Sequence, residues 1–364
     1  MATDQNIGKT CLQTIASIWQ VDDSAVKWVD DGFDWSPGSH LVRVRATFNE
    51  KSASEERWRI SVETDVLASV ALDCASFVET IASQYSLLTS TYSMTITPVE
   101  KSKTHSNEGT KLSLFSSVYV DSQLIQWLPR FLAQEALVQV TNAEGMNGLL
   151  SKVVIDKSDS LSSGENRKPD EILEVPLKIY VSEGTKPNRW SDTDEFGKFA
   201  EKYGRTEGCF GNGDKSGLTL ETPFGDDSAL IRLLPVKNPL LGNGLQVTIQ
   251  FPFLAAFEEI AKRSALLNVS EADRWTDVPQ LGCWQPDNIN GSKKRIGLAH
   301  RSFIPNALYS PGIATNFALW SIARVRWARQ EFWPELKDKS MGEVLEKRML
   351  LAGKVTSDKR ASRR

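Results

Sequence analysis

The chain has 364 residues, with 43 Lys and Arg against 46 Asp and Glu and a formal net charge of −3. Without an overall basic field to draw in phosphates, that balance argues against non-specific nucleic-acid binding. A hydrophobic content of 40% and a charged content of 24% fit a globular protein long enough for two or three domains.

No apolar run approaches the roughly eighteen residues that a membrane-spanning helix needs. The N-terminal stretch "MATDQNIGKTCLQTIASIWQ" has no basic start, continuous apolar block or small-residue cleavage site, so no signal peptide is predicted. Cys11, Cys74, Cys209 and Cys283 form no CxxC pair, and His40, His105 and His300 are the only histidines. Zinc and redox centres have little to work with, so the expectation is a cytoplasmic protein with reduced thiols and no cofactor.

Leu12, Ile15 and Trp19 recur at helical spacing, and "SAVKWVDDGF" from Ser24 reads as a second, short helix. The period then changes to two. Val42, Val44, Ala46 and Phe48 alternate with Arg43, Arg45 and Thr47, and Trp58, Ile60 and Val62 alternate again, which predicts a hairpin with one buried face. Asp73 can cap a helix bearing Phe77, Ile81 and Tyr85. "TYSMTIT" and "KLSLFSSVYV" predict two more strands, followed by a long apolar helix from near Ser122. Residues 156–170, "DKSDSLSSGENRKPD", lack periodicity and read as a linker.

The order then repeats. "SDTDEFGKFAEKYG" predicts a helix, and "GLTLET", "SALIRLLPV" and "NGLQVTIQF" predict strands. "FLAAFEEIAKRSALL" predicts a helix, "QLGCWQP" and "RIGLAHRSF" strands, and "FALWSIARVRWARQEFW" lies in a closing helix. The expected fold class is therefore α+β, with two tandem units of antiparallel sheet and packed helices. The boundaries are 1–153 and 171–335, separated by a linker at 154–170 and followed by a C-terminal helix and basic tail at 336–364. Two strands precede the middle helix in the first unit and three in the second.

The closing helix carries five aromatics and three arginines in seventeen residues. It is apolar nearly all round, as a core helix is, and its arginines do not gather on one stripe as a groove-binding helix requires. The core reading stands beside a second one, in which Phe317, Trp320, Arg324 and Trp327 form a protein-docking face, since Trp and Arg are favoured at hot spots. "GNGDKSG" at 211–217 has Asp214 where a phosphate loop needs glycine, and reads as a glycine-rich turn. One register of the last hairpin sets Cys283 opposite His300, a possible thiol nucleophile and base. The tail "KVTSDKRASRR" reads as solvated.

The element order helix, three strands, helix, two strands, helix resembles the type III secretion chaperone-like fold, which includes the YbjN family. "WRISVETDVLASV" with "SLFSSVYVDSQLIQWLPRFLAQEALVQVTNAEG" carries the likeness in the first unit. "PLLGNGLQVTIQF", "LGCWQPD" and "FIPN" before the Trp/Arg-rich helix carry it in the second. The resemblance implies a non-enzymatic module that binds another polypeptide, as a chaperone, adaptor or regulator, in a fold whose members pair through the middle helix or neighbouring strands. A monomeric pseudo-dimer or a homodimer follows from it. The competing expectations are a thiol-dependent hydrolase built on Cys283 and His300 and, third, a nucleic-acid-binding protein. No membrane partner is expected.

Overall fold

The computed structural model describes residues 6–19, 26–37, 40–48, 57–70, 92–99, 109–150, 182–203, 209–239, 241–272, 278–287 and 296–332. The first half comprises α1 (Ile7–Ile18), β1 (Val26–Val29), β2 (Gly32–Trp35), β3 (Val42–Phe48), β4 (Trp58–Val70), β5 (Ser93–Val99), β6 (Gly109–Val120) and α2 (Leu128–Leu150). The second comprises α3 (Glu195–Tyr203), β7 (Phe210–Asp214), β8 (Gly217–Phe224), β9 (Asp227–Asn238), β10 (Gly242–Ala255), α4 (Phe257–Ala272), β11 (Cys283–Asp287), β12 (Ile296–Pro305) and α5 (Ile313–Trp327).

Each half holds one antiparallel six-stranded sheet. The strands run β1-β2-β3-β4-β6-β5 in the first and β7-β8-β9-β10-β12-β11 in the second, which is the same order read from the first strand of each half. The α+β class in two units is thus the observed architecture. The predicted linker at 154–170, the helix from Asp73, Cys74, His105 and everything after Phe332 lie outside the described residues.

Alternation along the strands sorts side chains onto two faces. In the first half Val42, Val44, Ile60, Val62, Leu112, Leu114 and Val118 are buried on the face that receives α1 and α2. Polar ties fix the helices on that face. Thr64 Oγ1 donates to Gln139 Oε1 (2.9 Å), Gln139 Nε2 donates to Ser116 Oγ (3.0 Å), and Trp19 Nε1 donates to the Ala133 carbonyl (2.8 Å). The opposite face carries charge. Arg43 grips Asp65 with both terminal nitrogens (2.5 and 2.7 Å), while Lys111 Nζ reaches Asp65 (2.9 Å) and Glu63 (2.6 Å). Burial raises the Asp65 carboxyl, but the hydrogen bond from Arg43 and the charges of Lys111 and Arg43 outweigh it and hold it below its ordinary range.

The halves meet at a polar seam and an aromatic contact. Ser117 of β6 exchanges two backbone hydrogen bonds with Gln280 (3.1 and 2.7 Å), whose side-chain amide also donates to Ser93 Oγ (2.8 Å). Arg59 Nη2 donates to the Ala272 carbonyl at the end of α4 (2.7 Å). Alongside, α4 packs against β5 and β6, and Trp127 stacks on Trp320 with ring centres 5.6 Å apart.

Three expectations are corrected. The stretch read as a short helix from Ser24 forms the β1–β2 hairpin, with Trp28 opposite Phe33 and a turn at Asp30 and Asp31. Four strands, not two and three, precede the middle segment of each half. The extra strand of the second half is β7, drawn from the glycine-rich stretch read as a turn; the turn itself is confined to Lys215 and Ser216. The long helix begins at Leu128 rather than Ser122, with Pro129 in its first turn where the missing N–H costs nothing.

Candidate functional site

The Cys283–His300 dyad does not form. In the β11–β12 ladder Cys283 lies opposite Arg301 and Trp284 lies opposite His300. A slip of one residue puts the thiol and the imidazole on opposite faces of the sheet. Both are buried, and burial, followed by the charge of Arg324, holds the His300 imidazole well below its usual pKa. The Trp284 ring meets His300 edge-on at 5.5 Å. With no contact between thiol and base, the hydrolase reading loses its geometry.

The Trp/Arg-rich helix α5 lies across β8, β9 and β10. Phe317 and Arg324 are buried, while Trp320 and Trp327 are partly buried and packed against the core. The Arg324 guanidinium pairs with the Glu271 carboxylate and donates to the Pro279 carbonyl (2.6 Å); Glu271 also accepts from Trp284 Nε1 (2.6 Å). Phe317 meets Phe131 of the first half at 5.7 Å. Of the four residues of the expected docking face, Phe317 and Arg324 offer a partner no surface, and Trp320 faces Trp127. Arg326 and Arg329 point outward, with apolar core on the other side of the helix.

Among the described residues an open groove of about 410 Å³ runs between α1 and the β1–β2 hairpin. The helix supplies Lys9, Leu12 and Gln13, and the hairpin supplies Trp28, Asp30 and Asp31. Trp28 is 47% exposed, its ring in a tilted contact with Phe33 with ring centres 5.1 Å apart. Trp58, another lining residue, packs against Phe48, itself 42% exposed.

The groove's position follows from where α1 sits. Gly8 leaves no room for a Cβ against the Trp58 ring, so the helix descends over β4 at that point. The sequence signal for the groove is the alternation of Val26, Trp28 and the turn acids, a run too short to separate from helical spacing. No group of three or more His, Cys, Asp or Glu among the described residues is placed to hold a metal ion. No described helix is long and apolar enough to cross a membrane. Comparison with protein-family models, with curated proteins and with solved structures finds no match.

Proposed function

We propose that the protein is a non-enzymatic module that binds another polypeptide, and that the groove between α1 and the β1–β2 hairpin makes the contact. The observation that carries this reading is Trp28, 47% exposed and lining an open groove together with Trp58. Trp is the residue type most enriched at interface hot spots. The likeness to the type III secretion chaperone-like and YbjN-like fold supports it further. The helix, strands, helix, two strands, helix order is present in the second half with one strand added in front. The seam at Ser117 and Gln280 and the packing of α4 on β5 and β6 favour a monomer that imitates a dimer. Cys11, Cys209 and Cys283 are buried and form no disulfide among the described residues, which fits the cytoplasmic setting we assign to the protein.

A photo-reactive phenylalanine analogue at Gln13, on the helix wall, tests the reading in the native cell. The expected result is a discrete polypeptide adduct that disappears when Trp28→Ala is added and is absent when the analogue replaces Thr219, on the second half's sheet. Failure to crosslink any polypeptide, or equal labelling at both positions, overturns the proposal.

A further inference from the structure

We propose that the groove recognises its partner through an arginine side chain, stacked on the open face of Trp28 and held by the carboxylates of Asp30 and Asp31. This rests on the polypeptide-binding reading and adds the chemistry of the bound segment.

The two halves supply the first observation, because they treat the same place differently. In the second half α3 lies directly on the edge strand β7, so close that Gly213 has no room for a Cβ against the Phe196 carbonyl. Helix α3 thus covers one face of β7, although Phe210 on the same strand stays 68% exposed. In the first half α1 packs on β3 and β4, and the space over the edge strand β1 stays open with Trp28 beside it. A residue as large as Trp at the place of a glycine keeps helix and edge strand apart.

Charge supplies the second. The charged residues lining the groove are Lys9, Asp30 and Asp31, so the lining is acidic by one charge. Asp30 is exposed and makes no ion pair among the described residues. Asp31 is 63% exposed and touches Arg45 Nε only at 3.5 Å. Arg45 is engaged elsewhere, with Nη2 on Asp34 at 2.5 Å and Nη1 on the Phe33 and Val44 carbonyls. Both turn carboxylates therefore keep acceptor capacity toward a cation.

The shape of the cation follows from Trp28. An indole face attracts a cation through its quadrupole, and a planar guanidinium can lie flat on it while its edge N–H groups still reach a carboxylate. An ammonium can serve only one of these partners well. Lys9, on the opposite wall, discourages a second cation and favours an acidic neighbour beside the arginine. The bound segment is thus an Arg flanked by Glu or Asp.

Anisotropy of a fluorescein-labelled Gly-Ser-Glu-Arg-Thr-Ser-Gly peptide, titrated with the full chain, reads this out. The same peptide with citrulline in place of Arg keeps the shape and loses the charge, and should bind about tenfold more weakly, the sum of a surface cation–π contact and an exposed ion pair. Trp28→Ala and the double change Asp30→Asn, Asp31→Asn should each weaken the Arg peptide to a similar degree, with melting temperatures near the parent's because all three side chains are exposed. Equal binding of the citrulline peptide, or parent-like binding by Trp28→Ala, overturns the proposal. Binding that emerges only after removal of residues 354–364 overturns it in favour of the chain's own Arg360, Arg363 or Arg364 as occupant. No binding by either form also overturns it. In each of these cases a polypeptide crosslinked at Gln13 still leaves the broader reading standing.

Discussion

Replacing Arg324 by Met strands a charge in the core of the second half. Glu271 is 2% exposed and its carboxylate has two partners, the Arg324 guanidinium and Trp284 Nε1. The substitution leaves the carboxylate with the indole alone and frees the Pro279 carbonyl as well. Removing one member of such a pair costs about 3–5 kcal/mol, because the remaining charge stays desolvated. Unfolding entropy of about 2.1 cal/mol/K per residue converts this to a fall in Tm of roughly 4–7 °C if both halves melt together, and about twice that if the second melts alone. Scanning calorimetry separates the two cases. Adding Glu271→Gln should restore most of the loss, since the amide oxygen still accepts from Trp284 and no charge remains to be paired. An Arg324→Met protein that melts within about one degree of the parent refutes the reasoning.

Two further outcomes follow from buried groups. His300 has its folded-state pKa held well below 6.5, so it stays neutral in the native protein while the unfolded chain takes up the proton. Stability is therefore full above about pH 6.5 and falls as pH drops below it, by up to about 1.4 kcal/mol per pH unit. Urea unfolding at pH 7.5 and 5.5 should show a steeper loss for the parent than for His300→Gln, and identical losses would refute the assignment. Burial pushes the Cys11 thiol up to about 12, and Cys283 is wholly enclosed. Neither should react with a disulfide reagent at pH 8 until urea unfolds the chain; peptide mapping that finds rapid modification of Cys283 in the folded protein would sink that expectation.

Much of the fold is legible where a strand is long and one face is dry. Val42 to Phe48 and Leu245 to Phe251 announce themselves because alternate residues meet core and solvent. The β1 and β2 strands do not, since four residues each cannot establish a period and Asp30 and Asp31 look like solvated helix acids as easily as turn residues. The β7 strand hides behind its glycines, Gly213 fitted to the approach of α3 and Gly211 to Leu220 and Thr219 of β8, contacts from outside its own sequence. Register is less legible still: the Cys283–His300 pairing fails by a single residue, which no local pattern specifies. The candidate site lies beyond local reading altogether, because it is a space left by the placement of α1 over β4. The Trp/Arg-rich helix illustrates the opposite case, since its all-round apolarity correctly marks it as core while its residue types suggest an interface.

That helix and the groove together explain why two halves of one topology differ. In a symmetric homodimer every substitution appears twice, so a change that opens a groove on one subunit opens it on the other. Two units in one chain are free of that constraint. Here the second half has covered one face of β7 with α3 and anchored its sheet through Glu271, Arg324 and Trp284, while α4 reaches across to β5 and β6. The first half carries the open groove, with Trp28 half-exposed, and is braced from behind by the seam at Ser117 and Gln280. An exposed aromatic groove is costly in an isolated small unit, because the area it leaves wet subtracts from a limited core. Joined to a second unit through one contiguous buried cluster, the first half can leave that surface open and still remain folded.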